Sequence, residues 1–160
     1  MSRWRRVLIT LHSPAPLISL CPFCLRYHGF WMRRLFEVNA RFGTRQDLLD
    51  LINAAHARGM FVMVDVVANH VGPVDLNFTT LQPFNTSDSY HPKCSIVNWT
   101  NTEEVMLCRL ENLPDLNQTN PSVRAHLLEW VSSLQGMGFD GLRVDTVMNP
   151  VLFKYRSSFT

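Results

Sequence analysis

Residues 60–67 read Met-Phe-Val-Met-Val-Asp-Val-Val, an apolar run that a single acidic residue interrupts. A run of this length without polar alternation is typical of a strand buried on both faces, as in a parallel sheet. A helix is predicted directly before it, because Thr44 and Asp47 resemble a capping box and apolar residues then recur at helical spacing until Gly59. Helix and strand together indicate one unit of an α/β fold.

The same order of elements occurs again near residue 120. Asn120 and Pro121 open a second helical pattern, which two glycines close. Residues 139–147 are then the second candidate for a buried strand. Two such units predict an α/β fold with parallel strands. The polar residues 71–117 between them are too long for a plain connection, so we expect a small excursion there.

The composition of the 160-residue chain is that of one globular domain. Apolar residues make up 46% and charged residues 18%, which argues against an intrinsically disordered chain. The formal net charge of +2 is too even to indicate binding to nucleic acid or to an anionic membrane. No apolar run approaches the ~20 residues of a membrane-spanning helix. We therefore expect no nucleic-acid partner and no membrane, and no protein partner is indicated.

The middle of the chain carries signs of an oxidising compartment. Four Asn-x-Ser/Thr sequons lie within a short span that also contains Cys94 and Cys108. Clustered sequons around two cysteines indicate a secreted glycoprotein. The predicted glycosylation sites are Asn77, Asn85, Asn98 and Asn117.

The first 26 residues fit the rest of the chain poorly. They begin with a basic segment and an apolar run that Pro14 and Pro16 interrupt, and no small-residue cleavage site follows. They make a poor signal peptide and lack regular periodicity, so we expect a tail outside the fold. Cys21 and Cys24 form a single CxxC here without a second ligand pair nearby, and we expect no zinc at it.

Two acidic residues lie in the predicted buried strands. Asp65 interrupts the first strand and Asp145 ends the second, where an ionised carboxylate is costly unless it is paired. Arg143 shares a strand face with Asp145 and offers a bidentate guanidinium to a carboxylate. His70 follows the first strand at the end where parallel α/β folds build their sites. Taken alone, these residues fit either a structural ion pair with an ordinary loop histidine or a functional site.

Several longer segments carry a family resemblance. Residues 65–70 (Asp-Val-Val-Ala-Asn-His) and 141–145 (Gly-Leu-Arg-Val-Asp) resemble two signature segments of the α-amylase family of glycoside hydrolases. The resemblance covers roughly residues 27–147 in the family's order and spacing. It is closest to the fungal-type subgroup through the segments 27–31 (Tyr-His-Gly-Phe-Trp), 42–44 (Phe-Gly-Thr), 91–94 (His-Pro-Lys-Cys) and 113–117 (Leu-Pro-Asp-Leu-Asn).

This resemblance implies a fold of the α/β class, a partial (β/α)8 TIM barrel. In the family the two signature segments end the third and fourth barrel strands, and a small domain is inserted between them. We accordingly expect a tail outside the family over residues 1–26, barrel segments over residues 27–72 and 119–160, and an inserted domain over residues 73–118.

The resemblance also implies roles for individual residues. Asp145 matches the catalytic nucleophile, and Arg143 matches the arginine that orients it. The family's substrate-binding positions fall at His28, Phe30, Trp31 and His70. For Trp31, packing in the hydrophobic core is an equal alternative to a contact with the sugar.

A structural calcium ion and a disulfide follow from the same resemblance. Asn69 and Asp115 match two calcium ligands, while the acidic ligand that the family has just before Cys108 falls near Met106, and a thioether does not bind this ion. Calcium takes roughly 6–8 oxygen ligands, so we expect calcium as a cofactor with an incomplete site and weak binding in this chain. Cys94–Cys108 matches a disulfide of the inserted domain.

The implied activity is retaining hydrolysis of α-1,4-glucosidic bonds in starch- or glycogen-type α-glucans. Retaining glycosidases need a second carboxyl group as acid/base, and Asp145 is the last Asp or Glu of the 160 residues. We therefore expect a fragment of such an enzyme that is inactive alone. The alternatives are a non-catalytic relative that binds glucan or protein, and an α-glucosidase or transglycosylase of the same family.

Overall fold

The computed structural model of the chain describes residues 5–10, 31–40 and 42–146. Within these ranges the structure has three strands, three α-helices and three short 3₁₀ turns. The strands are β1 (Arg5–Thr10), β2 (Met60–Val67) and β3 (Gly141–Asp145), the helices are α1 (Arg45–His56), α2 (Thr102–Leu107) and α3 (Pro121–Gly136), and the turns are Phe78–Thr80, Ser87–Ser89 and Leu110–Asn112.

The three strands form one parallel sheet in the order β1-β2-β3. Asp65 of β2 is in register with Thr10 of β1 on one side and with Arg143 of β3 on the other. Val67 is paired in the same way with Asp145. The predicted parallel arrangement of the strands around residues 60–67 and 141–145 is therefore confirmed, and sequential parallel order is the arrangement found in a (β/α)8 barrel.

Strand β1 differs from the sequence prediction. Residues 5–10 lie within the segment that we expected to be a tail outside the fold, yet they pair along β2 from Arg5 opposite Met60 to Thr10 opposite Asp65. The pairing supplies the backbone partners that β2 needs along one edge. The expectation of a tail is thus wrong for residues 5–10. The Cys21-x-x-Cys24 motif lies outside the described residues.

Both long helices begin with the predicted caps. The hydroxyl of Thr44 accepts a hydrogen bond from the backbone N–H of Asp47 (3.2 Å), and the carboxylate of Asp47 accepts one from the N–H of Thr44 (2.7 Å). In α3 the side chain of Asn120 accepts from the N–H of Ser122 (2.9 Å), and Pro121 occupies the first turn. These caps satisfy backbone donors that the first turn of a helix leaves open.

The hydrophobic core lies between the sheet and the two long helices. Val62, Val64 and Val66 of β2 are almost fully buried in it, together with apolar residues of the helices. Asp65 and Val67, on the other face of β2, are buried as well. The C-terminal half of the strand is therefore covered on both faces, as its apolar run predicts, whereas Phe61 on the second face is 45% exposed. The helical residues of this core are Leu48, Ile52 and Ala55 from α1 and Val123, Leu127, Trp130 and Leu134 from α3.

A disulfide cross-links the excursion between β2 and α3. Cys94 and Cys108 are bonded, with a Cα–Cα distance of 4.8 Å and a sequence separation of 14 residues. The predicted pairing is confirmed. By the chain-entropy estimate, a loop of this length contributes ~3 kcal/mol to the free energy of unfolding. Helix α2, which the sequence did not predict, lies inside this loop and ends at Leu107, directly before Cys108.

Asp140 links β2 to the turn before β3. Its Oδ2 accepts a hydrogen bond from the backbone N–H of Val62 (2.7 Å) and lies 2.8 Å from Nε2 of His56, while its own N–H donates to the carbonyl of Val62 (2.9 Å). Partial burial raises the pKa of Asp140, but the hydrogen bonds from Val62 and His56 outweigh it, so the pKa lies below its ordinary value.

We expect Asp140→Ala to lower the free energy of unfolding by ~1–2 kcal/mol, because the N–H of the fully buried Val62 loses its acceptor. A carboxyl group whose pKa is lower in the folded state stabilises the fold above about pH 4 and loses that effect as the pH falls through the folded-state pKa. Urea unfolding of both proteins at pH 7 and at pH 3 measures this. The difference between them should shrink at pH 3, and an equal difference at both pH values contradicts the assignment.

Among the described residues, no helix is both long enough and apolar enough to cross a membrane.

Candidate active site

An arginine joins two carboxylates across β2 and β3. Arg143 donates from Nη1 to Oδ2 of Asp65 (2.7 Å) and from Nη2 to Oδ1 of Asp145 (2.9 Å). The register places Asp65 directly opposite Arg143, and the two-residue spacing places Asp145 on the same strand face. The predicted pairing of Asp65 with Arg143 is confirmed.

The three side chains differ in burial, and this difference separates an internal ion-pair partner from an accessible carboxylate. The Asp65 side chain is 3% exposed, whereas those of Arg143 and Asp145 are 45% and 29% exposed. The hydrogen bond to Asp65 is the main cause that raises the pKa of Arg143 above its ordinary value. Asp65 thus holds the guanidinium from inside the protein, and Asp145 is the more accessible carboxylate at the C-terminal end of β3.

His70 lies buried in the loop that follows β2. Burial lowers its pKa to about 4, and the negative charge of Asp145 acts in the opposite direction. The imidazole is therefore neutral at neutral pH, with one donor and one acceptor nitrogen. His70 follows Val67 by three residues, and Val67 is in register with Asp145, so these two predicted site residues lie at the same end of the sheet.

The segment that contains Trp31 passes close to the same loop. The N–H of Gly72 donates to the carbonyl of Met32 (2.6 Å), and a Cβ atom at Gly72 would lie 3.2 Å from the carbonyl oxygens of Trp31 and Met32. Only a glycine permits this approach without displacing the backbone. Trp31 is partly buried, which fits core packing as well as a contact with substrate. Its substrate role stays a prediction. His28 and Phe30 lie outside the described residues.

A second polar cluster lies where residues 113–118 return to the end of β2. Asn69 donates from Nδ2 to Oδ1 of Asp115 (2.9 Å), and Nδ1 of His91 pairs with Oδ2 of Asp115 (2.6 Å). All three side chains are buried. Burial raises the pKa of Asp115 to about 6, against the effect of its hydrogen bonds with His91 and Asn69. The structure thus brings the two predicted calcium-ligand residues together.

Backbone hydrogen bonds hold this return segment in place. The N–H of Leu116 donates to the carbonyl of Asn69 (2.9 Å), and that of His91 donates to the carbonyl of Asp115 (3.0 Å). The fully buried side chain of Gln118 donates to the carbonyl of Ala68 (3.1 Å). Sequence reasoning missed His91 and Gln118 as parts of this cluster, although His91 opens the quoted His-Pro-Lys-Cys segment.

The predicted glycosylation sites lie at the surface of the excursion. Asn77, Asn85 and Asn98 are exposed and Asn117 is partly exposed. Three of these sequons share one local geometry, in which the asparagine Oδ1 accepts a hydrogen bond from the threonine hydroxyl two residues later (2.6–2.7 Å). These pairs are Asn77–Thr79, Asn98–Thr100 and Asn117–Thr119.

The contact of Arg143 with Asp145 lies at the C-terminal ends of parallel strands, which is where (β/α)8 folds build their sites. The family model described as the α-amylase catalytic domain matches residues 16–152. The chain therefore belongs to the α-amylase family of glycoside hydrolases.

Individual relatives agree with this assignment. The α-amylase mde5 of Schizosaccharomyces pombe is 39% identical over 132 residues, which cover 74% of this chain and 25% of that protein. A solved α-amylase from Malbranchea cinnamomea is 38% identical with a TM-score of 0.79, covering 89% of this chain and 32% of that one. An α-amylase from Geobacillus thermoleovorans, solved in complex with acarbose, is 32% identical with a TM-score of 0.75, covering 89% and 30%.

The neighbours imply a TIM-barrel-type fold, of which the described residues contain a small parallel sheet. The chain spans about a quarter of the length of the curated relatives it matches.

Proposed function

We propose that this chain is part of a retaining glycoside hydrolase that cleaves α-1,4-glucosidic bonds in starch- or glycogen-type glucans. The observation that carries the proposal is the forked contact of Arg143 with Asp65 and Asp145. In this proposal β2 and β3 are the third and fourth strands of the barrel, and residues 73–118 are the domain inserted between them. A module that only bound glucan would not need an arginine-oriented carboxylate, so the contact favours an enzyme.

Asp145 acts as the nucleophile in the proposed mechanism. Its carboxylate attacks the anomeric carbon, the glycosidic C–O bond breaks, and a second carboxyl group protonates the leaving oxygen. Water then hydrolyses the glycosyl ester and returns the carboxylate. Arg143 keeps Asp145 oriented because Asp65 fixes the other arm of the guanidinium. Asp145 is the last Asp or Glu of the 160 residues, so no acid/base is assigned within this chain.

His70, in the loop after β2, is one of the proposed substrate-binding residues. The neutral imidazole of His70 has a donor and an acceptor nitrogen for sugar hydroxyl groups. His28, Phe30 and Trp31 form the segment that flanks the sugar in this proposal. Support for an α-glucan substrate comes from the acarbose complex of the Geobacillus thermoleovorans relative.

The proposed setting is extracellular. The Cys94–Cys108 disulfide and four accessible sequons fit a secreted glycoprotein. We also propose that any calcium held by Asn69 and Asp115 in this chain is weakly bound. Among the described residues, no group of three or more His, Cys, Asp or Glu side chains is placed to hold a metal ion.

A chimera tests the proposed function directly. Residues 16–152 replace the corresponding segment of the Malbranchea cinnamomea α-amylase, which then supplies the remainder of the barrel. We expect the chimera to hydrolyse soluble starch with retention of the anomeric configuration. NMR of the newly released product measures that configuration. The 160-residue chain alone should show no turnover above its Asp145→Asn variant. A folded chimera without starch hydrolysis would refute the proposed function.

A further inference from the structure

Thr146, the residue directly after the proposed nucleophile, has a left-handed backbone. Strand β3 ends at Asp145, and the φ angle of Thr146 is 53°. A positive φ is uncommon outside glycine and is a marked outlier for a β-branched residue, because Cβ then lies too close to the following carbonyl oxygen. A glycine would adopt this conformation without that clash. The chain has threonine here, so backbone strain is stored next to Asp145.

The other left-handed residues that the structure describes are of more permissive types. Gly43, Gly59 and Gly138 are glycines, while Glu111 and Asn112 are unbranched at Cβ and exposed in the turn Leu110–Asn112. Thr146 is therefore the β-branched residue among them. Within the described part of the chain its hydroxyl group has no hydrogen-bond partner that would offset the strain. The conformation is thus imposed by the fold around it.

The conformation of Thr146 determines how the chain leaves Asp145. The last register pair of β2 and β3 is Val67 with Asp145. An extended residue at position 146 would continue the direction of the strand, whereas a left-handed residue bends the chain directly after Asp145. Asp145 is therefore restrained in three ways: by strand pairing, by the contact of its Oδ1 with Nη2 of Arg143 (2.9 Å), and by the bend that follows it.

Strain at this position has a use if the direction of the Asp145 carboxylate matters. Residues held in sparsely populated backbone regions cluster at active sites, where the strain is part of preorganisation. A glycine at position 146 would relieve the strain but would also open conformations that threonine lacks, so Asp145 would be held less narrowly. A misplacement of about 1 Å can lower a reaction rate by about a hundredfold. Threonine therefore trades stability for a fixed carboxylate.

We propose that Thr146 is a positioning residue for Asp145, whose strained left-handed backbone fixes the direction of the carboxylate toward the anomeric carbon. This inference rests on the proposed function, because it requires Asp145 to be the nucleophile. Thr146 acts through the backbone and contacts no reacting atom, whereas Arg143 contacts the carboxylate itself. Such a role lowers kcat when it is lost and leaves KM and the stability of the fold unchanged.

Kinetics of the chimera and of two variants at position 146 test the inference. We expect Thr146→Gly to lower kcat on soluble starch about tenfold and to leave KM within about twofold, because the attack geometry is less restricted. Its thermal midpoint should equal or exceed that of the parent chimera, since glycine relieves the strain. Thr146→Val keeps the β-branched shape without the hydroxyl group, so its kcat should stay within about threefold of the parent.

Glu111→Gly is the matched control for the relief of strain. Glu111 is exposed and has nearly the same backbone conformation, with a φ of 50°, but it lies in the turn Leu110–Asn112 and outside the sheet. Its replacement by glycine should likewise leave the thermal midpoint equal or higher, and kcat should stay within about twofold of the parent. The comparison separates relief of strain in general from relief of strain beside Asp145.

The possible failures are distinguishable. If the parent chimera hydrolyses starch and Thr146→Gly keeps the parental kcat, the inference is wrong and the proposed function stands. A Thr146→Val variant as slow as Thr146→Gly would also overturn the inference, because the hydroxyl group and not the backbone would then matter. So would a Thr146→Gly variant with a lower thermal midpoint, which indicates a structural role. A folded parent chimera without starch hydrolysis overturns the proposed function and this inference with it.

Discussion

Asp145→Asn lowers the rate of starch hydrolysis by the chimera at least about a thousandfold, the effect expected when the nucleophile of a covalent mechanism is lost. The amide is nearly the same size as the carboxylate and can still accept a hydrogen bond from Arg143, so the fold should persist. It does not form the glycosyl ester. Initial rates of reducing-sugar release at saturating starch measure the loss, and circular dichroism confirms the fold.

The control for this variant is another carboxylate of the same chain. Asp50→Asn alters an exposed residue of α1 that hydrogen-bonds only to its helical neighbour Gln46 among the described contacts (2.8 Å). Its hydrolysis rate should stay within a factor of about two of the parent, because surface substitutions of this kind have small effects. If Asp145→Asn retained a rate comparable to Asp50→Asn, Asp145 would not be the nucleophile.

Arg143→Met should strongly destabilise the chimera because it leaves Asp65 charged inside the protein. Asp65 is 2% exposed, and its Oδ1 has no hydrogen-bond partner among the described residues, so the contact with Arg143 is its main compensation. An uncompensated buried carboxylate costs on the order of 3–5 kcal/mol. Guanidinium chloride unfolding of the parent and the variant measures the change in the free energy of unfolding.

A double variant separates the stabilising role of this arginine from its catalytic role. Asp65→Asn/Arg143→Met removes both charges and should recover most of the stability lost in Arg143→Met. It should not recover starch hydrolysis, since Asp145 still lacks the hydrogen bond from Nη2 of Arg143. Recovery of both properties would show that Arg143 does not position Asp145. Recovery of neither would show that the Asp65–Arg143 contact is not the source of the lost stability.

The repeated helix–strand pattern predicted most of the central fold because its signals are local. The capping residues Thr44 and Asn120 and the apolar run of β2 each determine their element without help from distant parts of the chain. Strand β1 had no such signal, since Arg5–Thr10 is a short segment that gains its hydrogen bonds only by pairing with β2. The predicted strand 139–147 begins later in the structure, at Gly141, and the carboxylate of Asp140 accepts a hydrogen bond from the N–H of Val62 instead.

The sequence predicted those site residues whose positions follow from spacing along a strand. It did not predict those that residues 71–117 bring to the end of β2. Arg143 and Asp145 share a strand face by their spacing alone, and a buried Asp65 required a cation. His91 reaches Asp115 only because residues 113–118 return to the end of β2, a contact across 24 positions of sequence.

The contact between Asp65 and Arg143 also bears on how the sheet assembles. Successive side chains of a strand point to opposite faces, so a shift of β3 by one residue against β2 would turn Arg143 toward the apolar core and remove the cation from Asp65. Such a misaligned sheet would contain a buried, uncompensated carboxylate. The same ion pair that orients the proposed nucleophile therefore selects one alignment of the strands during folding and penalises the nearest alternative.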